Sequence, residues 1–444
     1  MSRSGKPSIA VKLGTIALLV GFLMLPMLMI RSLVKERQER AESAAAEVGN
    51  TWGGPQNVAG PFLRVPVHGP ANADGAFYKN HLILLPDNLE VKSTVDAVQR
   101  RRGIFETVVY AADIEIRATF KKPDLERSGL AVGVPQWNAA EVFIATGDLR
   151  GFRETPRIVW QNNILELEPL PNDLFSDSLA GRLELPFDSE EPEPVELQAH
   201  LALDGSNELS FLPLGRDTSV QMTSSWKNPS FQGAFLPDSP EIREDGFNAS
   251  WSVPYIARGY PQAWLEEAES EAVGAMMKSS FGVDYLMPVD FYQKSERCAK
   301  YALLFIVMTF VTFLLFELAN NINVHPMQYL LVGFALCLFY QLLLAFSEHV
   351  GFTNAYLVAS AATVLLISVY SSAVLKTRQR ALILAIALAV MYGVLFFLVQ
   401  LASYALLGGS VVLFLMLAAF MFLTRNLNWE KLGDVDLTED RVTV

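Results

Sequence analysis

The chain has 444 residues, 51% hydrophobic and only 18% charged, with a formal net charge of −12. That length suits two or three structural units rather than one. The acidic charge falls mostly on residues 31–298, which argues against nucleic acid as a partner, since binding phosphate needs a basic face, and against adhesion of that part to anionic lipid.

The first element is the apolar run Leu13–Ile30. A bilayer core about 30 Å thick takes roughly 20 apolar residues in a helix, so this run predicts a transmembrane anchor. A secretory signal peptide would lead into a small-residue cleavage site. Here Arg31-Ser32-Leu33-Val34-Lys35-Glu36-Arg37 continues as a charged helix, and Ala44-Ala45-Ala46 lies too far downstream. The anchor is therefore read as uncleaved, with Arg31–Glu47 helical beyond it. Gly14 and Gly21 share one face and offer a place to dock it.

Residues 51–290 read as β-rich. His81–Leu85, Thr107–Phe120, Val195–Leu203, Glu208–Leu212 and Thr218–Trp226 alternate or are β-branched, and glycine and proline punctuate them. An antiparallel, sandwich-like domain follows. Trp264–Lys278 is the best helix within it, and residues 188–194 form an acidic, proline-broken loop. Arg100-Arg101-Arg102-Gly103 reads first as a solvated turn and only second as a basic site. Trp226, Phe231, Phe235, Phe247 and Trp251 read first as core and only second as a ligand platform.

Five further apolar spans follow, at about 299–316, 327–346, 355–374, 381–399 and 404–423. Lys376, Arg378 and Arg380 crowd the short loop after the fourth of the chain's six spans, which makes that loop cytoplasmic by the positive-inside rule. Counting spans outward gives a cytoplasmic N-terminus (1–12), the anchor (13–30), a periplasmic β-rich domain (31–298), the five-helix bundle (299–423) and a cytoplasmic tail (424–444). Arg3, Lys6 and Lys12 agree; Arg31, Lys35, Arg37 and Arg40 pull the other way. The fold class is thus an α+β membrane protein. Ala381, Ala385, Ala389 and Gly393 make a small-residue stripe suited to close helix approach.

Polar residues at membrane depth are functional suspects. Glu348 and His349 close one helix; Glu317 and His325 bracket a loop; Tyr340 and Gln341 lie at mid-depth. Glu348–His349 could sense protons or cations, histidine being suited to pH sensing. The plainer reading is solvation at helix ends, with His325-Pro326 as a helix start and Tyr340 and Gln341 in interhelical hydrogen bonds. Cys298 and Cys337 are the only cysteines, and no metal-ligand spacing, P-loop, nucleophile elbow or metalloprotease motif occurs. No metal site, no cofactor and no enzymatic activity is expected.

Several strings resemble one family. Residues 290–305 (DFYQKSERCAKYALLF), His325–Gly333 (HPMQYLLVG) and Ser347–Phe352 (SEHVGF) followed by Ala355-Tyr356 are similar to the membrane signatures of the CreD family. In the soluble part the resemblance runs through Arg102-Gly103-Ile104-Phe105, Pro213-Leu214-Gly215, Ser225-Trp226 and Gly246-Phe247. One departure is Leu401-Ala402-Ser403 before Tyr404, where the family usually carries acidic residues. The resemblance implies a multi-pass inner-membrane protein of Gram-negative bacteria supporting cell-envelope integrity and stress response, linked to colicin tolerance and β-lactam response. It implies no reaction. The expected role is non-enzymatic binding or scaffolding, with the bilayer and a periplasmic protein or envelope component as partners and no nucleic acid. The alternative is a transporter or channel responding to envelope stress.

Overall fold

The computed structural model describes residues 9–71, 77–103, 105–125, 133–161, 163–172, 174–189, 192–266, 270–285, 291–320, 322–374, 377–401 and 405–425. Contacts divide the chain into two compact units, Ala41–Pro288 and Met1–Arg40 with Val289–Val444.

The unit Ala41–Pro288 is built on strands whose side chains alternate between core and solvent. In strand Asn88–Arg102, Leu89, Val91, Ser93 and Val95 are buried while Glu90, Lys92, Thr94 and Asp96 are exposed. Its antiparallel partner Phe105–Phe120 turns Tyr110, Ala112, Ile114 and Ile116 inward. A period of two gives such a hairpin one apolar face that must be covered. An eight-stranded and a ten-stranded sheet supply the cover, and their buried side chains form one hydrophobic cluster. Phe247 and Trp251 lie inside that cluster, and Trp226, Phe231 and Phe235 pack against it, so the aromatic group is core. The basic run is a strand end and turn. Gly103 takes φ 64°, Arg101 pairs with Glu106 at 3.1 Å, and Arg100 lies 5.2 Å from the Trp52 ring.

Two expectations need correction. The sheets are not wholly antiparallel: Gln56–Val58 pairs in parallel with Leu209–Phe211, and Asp217–Ser224 with Asn88–Val95. Parallel pairing needs a long connection between the strands, and alternation along one strand carries no information about its neighbour's direction. The helix expected over Trp264–Lys278 is shorter, covering Ser270–Lys278. Ala263–Leu265 instead adds a strand beside Leu82–Leu84, placing Trp264 fully in the core. Burial of that ring outweighs local helix preference.

Two buried polar side chains of this unit are held by hydrogen bonds to the backbone. Buried Gln56 donates through Nε2 to the carbonyls of Gly53 (2.7 Å) and Asp148 (3.2 Å), and its Oε1 accepts from the Gly147 N–H (3.1 Å). Arg258, 4% exposed, donates to the carbonyls of Leu214 (2.7 Å) and Pro213 (3.2 Å) and lies 4.6 Å from the Tyr260 ring. Burial lowers the pKa of this guanidinium. Carbonyl dipoles and ring faces stand in for the water it lost.

The other unit is helical. Helix α1 spans Ile9–Thr51, of which the part up to Arg40 belongs here; the charged continuation and the anchor are one helix. With α2 assigned to Ser270–Lys278, the remaining helices are α3 (Phe291–Lys300), α4 (Ala302–Asn320), α5 (Pro326–Val350), α6 (Phe352–Val374), α7 (Arg378–Gln400) and α8 (Ala405–Thr424). Among the described residues, α1, α5, α6 and α7 are each long and apolar enough to cross a membrane, and the pair α3–α4, bent by 46°, makes a fifth span if taken together. Five C-terminal spans were expected; three stand, or four with the bent pair, and the last expected segment forms the 20-residue apolar helix α8. Lys376, Tyr404 and residues 426–444 lie outside the described residues.

Helix α1 docks differently from the expectation. Gly14 and Gly21 face open space. Leu23, Met27, Ile30 and Val34 are buried instead, and Leu23 sits against Gly333 of α5, where an added Cβ would stand 2.2 Å from its Cδ1. The small-residue stripe of α7 is only partly packed: Ala381 is buried and Ala385 half-buried, while Ala389 and Gly393 are exposed and Leu384, Leu388, Tyr392 and Leu395 are buried beside them. Inside lipid every face of a helix is apolar, so shape rather than hydropathy selects the packed face. Gly333→Ala should destabilise this unit by about 1–3 kcal/mol through overpacking. Thermal unfolding of the detergent-solubilised chain should show the loss, and Leu23→Ala in the same chain should recover part of it.

Candidate functional site

Among the described residues, the most buried carboxylate of the helical unit is Glu317, in the last turn of α4 and 3% exposed. Such a group needs a cation and donors, because an isolated charge in an apolar medium is costly. It has both. Lys12 Nζ lies 2.5 Å from Oε1, the Val324 N–H donates to Oε1 at 3.1 Å, and the Tyr329 hydroxyl donates to Oε2 at 3.1 Å. Lys12 also donates to Asn323 Oδ1 at 3.3 Å. Local structure sets this up. The chain leaves α4 at Asn320 and re-enters at Pro326, a residue whose missing N–H suits a first helical turn. Exposed His325 caps that turn: its Nδ1 accepts from the Met327 N–H (3.2 Å), and its own N–H donates to Gln328 Oε1 (3.0 Å). Glu317 and Tyr329 thus meet across the turn, beside a cleft of about 130 Å³ lined by Lys12, Ile16, Leu19 and Val324 among others.

The opposite end of the bundle is held by α3. Tyr292 donates to Glu348 Oε1 at 3.2 Å, and Lys294 donates to Gln400 Oε1 at 3.3 Å while lying 5.4 Å from the Phe352 ring. The break between α3 and α4 frees backbone carbonyls. Arg31 donates to one of them, Ala299 O, through Nη2 at 2.8 Å and Nε at 3.2 Å. Exposed His349, next to Glu348 in the chain, places Nδ1 3.1 Å from the Ala345 carbonyl of its own helix.

At mid-depth, Tyr340 is buried but Gln341 is exposed. Tyr356 makes an interhelical hydrogen bond here, its hydroxyl donating to the Tyr392 carbonyl at 2.6 Å. Phe339 is the hub, with ring centroids 4.9, 5.5 and 4.6 Å from Tyr340, Tyr356 and Tyr392. Among the described residues no three His, Cys, Asp or Glu side chains converge on a common point.

Of the six residues singled out from sequence, the structure brings none together. Glu317 is the best built, and its partner Lys12 was missed. The signal was available: a glutamate ending an apolar helix needs a cation, and Lys12 stands just before the anchor's apolar run. Breaking a buried pair by removing one partner strands the other and costs about 3–5 kcal/mol, whereas replacing both by apolar groups is often neutral. Lys12→Met or Glu317→Leu alone should therefore lower the unfolding midpoint in detergent strongly, and the double variant should regain most of it.

Comparison with known proteins places this architecture. The family profile described as "Inner membrane protein CreD" matches residues 8–430. A relative from Escherichia coli (strain K12), "Inner membrane protein CreD", is 32% identical over 416 residues, covering 92% of this chain and 90% of that protein. Among solved structures, an M1 zinc metallopeptidase from Deinococcus radiodurans matches 38% of this chain and 39% of its own at 11% identity, with a TM-score of 0.20, too low to bear on fold or activity. With the family match running through both the β-sheet unit and the helical one, the chain belongs to the CreD family of inner membrane proteins.

Proposed function

We propose that this protein is a non-enzymatic envelope-integrity factor. Its β unit stands in the periplasm and binds a protein or other envelope component during stress, and the helical unit holds it in the inner membrane with both termini cytoplasmic. The supporting observation is the distribution of polar groups in the helical unit. Lys12, Glu317 and Tyr329 gather at one end and Arg31, Tyr292 and Glu348 at the other. Between them lies a core of aromatic and aliphatic side chains around Phe339. That is the make-up of a holding device. The proposed orientation is supported by Arg378 and Arg380 at the start of α7, at the end that Lys12 and Glu317 share, by the positive-inside rule. A photo-crosslinker at exposed Lys92 should capture periplasmic or envelope material from stressed cells, and the same probe at Arg378 should capture only cytoplasmic neighbours. Capture of nothing at Lys92 under stress, or of cytoplasmic proteins there, would refute the reading.

The alternative is a transporter or channel, favoured by the 46° break between α3 and α4, since discontinuous helices often mark transport sites. Here Arg31 occupies the carbonyl that the break frees. Reconstituted protein should show no ion or proton flux under an imposed gradient; flux that Glu348→Ala alters would decide for transport.

A further inference from the structure

Helix α4 has 19 residues, about 28 Å at 1.5 Å per residue, and makes a span when taken together with α3. Helix α3 itself does not suit hydrocarbon, because its ten residues include Lys294, Glu296, Arg297 and Lys300, and charged side chains at membrane depth are costly. The 46° bend turns it off the line of α4. Tyr292 then meets Glu348 at the end of α5, and Lys294 meets Phe352 at the start of α6 and Gln400 at the end of α7. So α3 lies across the ends of three helices. Its buried face is Tyr292, Ser295, Cys298 and Ala299. An amphipathic helix in this position belongs at the headgroup level.

Half-buried Arg297 and exposed Lys300, three residues apart, lie on the side of the helix away from its buried residues. The Arg31–Ala299 contact brings the charged part of α1 to the same level. Residues 31–40 together with α3 hold seven basic and three acidic residues, a net charge of +4 in a chain whose total is −12. The three acids are taken: Glu39 by Lys35 (3.6 Å), Glu36 by Arg40 (2.5 Å) and Glu296 by Lys300 (3.0 Å). Among the described residues this leaves Arg297 without a carboxylate, and the exposed Lys300–Glu296 pair is too weak to occupy Lys300 fully. We propose that this collar binds the phosphate groups of anionic phospholipids, with Arg297 and Lys300 as its headgroup contacts. A guanidinium matches phosphate with paired donors. The basic residues that oppose the positive-inside count on this side of the anchor then have a role of their own.

The test uses the full chain in phosphatidylcholine vesicles with trace spin-labelled phosphatidylglycerol or phosphatidylcholine, reading the ratio of their association constants. One basic residue near an anionic surface is worth about 1 kcal/mol, roughly fivefold. Arg297→Gln with Lys300→Gln should cut the preference for phosphatidylglycerol at least fivefold, while Arg378→Gln with Arg380→Gln, at the other end, should cut it less. An unchanged preference in the first variant, or equal losses in both, overturns the proposal. So does loss of the preference on adding inorganic phosphate, which would mark a site for free phosphate. If the glutamine variant unfolds at a lower temperature in pure phosphatidylcholine, Arg297→Lys with Lys300→Arg replaces it and must keep the preference; loss there also overturns the proposal.

Discussion

Helix α1 is fastened to the membrane bundle at two points by basic side chains, and the rest of the helical unit depends on those contacts. Lys12 meets Glu317 at one end, and Arg31 meets the Ala299 carbonyl at the other. Lys12 and Arg31 stand 19 positions apart in α1, a rise of about 28 Å, close to the thickness of a hydrocarbon core. Both contacts therefore sit where hydrocarbon gives way to headgroups. Hydrocarbon offers a charged group no partner, so each charge must find one inside the protein or reach water. Between the two points only shape holds the helix, through Leu23 seated against Gly333 and Met27 and Ile30 buried further along.

The β-sheet unit solves a different problem. There the alternation of apolar and polar residues along each strand decides which face is covered. Its difficulty lies in the few polar groups the core encloses. Gln56 and Arg258 answer it by binding backbone carbonyls that no neighbouring strand uses. Both tie together stretches far apart in the sequence, which sheet pairing alone would leave loosely held.

The proposed role, presenting a domain rather than moving a solute, draws on these two solutions. The polar side chains of the bundle are spent on fastening: Glu317 on the anchor, Glu348 on α3, His325 on starting α5. The collar of α3 and the charged part of α1 adds a surface suited to phosphate at the same end as Glu348. That surface was hidden in the sequence by the acidity of the chain as a whole.

How far the sequence could be read follows from what each signal contains. Apolar runs of spanning length announced α1, α5, α6 and α7, because the bilayer imposes length and composition on any helix crossing it. Alternation located strands such as Phe105–Phe120 and Val195–Ser206, because a half-buried strand repeats every two residues. Glu317, His325 and Glu348 stood out as polar residues beside hydrocarbon. Tertiary structure decided what those signals leave open: the parallel pairing of Gln56–Val58 with Leu209–Phe211, the strand at Trp264, the bend at Tyr301 and the face by which α1 docks. It also chose Lys12, 305 residues away, as the partner of Glu317. Length, period and charge are local properties of a chain. Strand direction, packed face and ion-pair partner belong to pairs of segments, and only the folded chain brings those together.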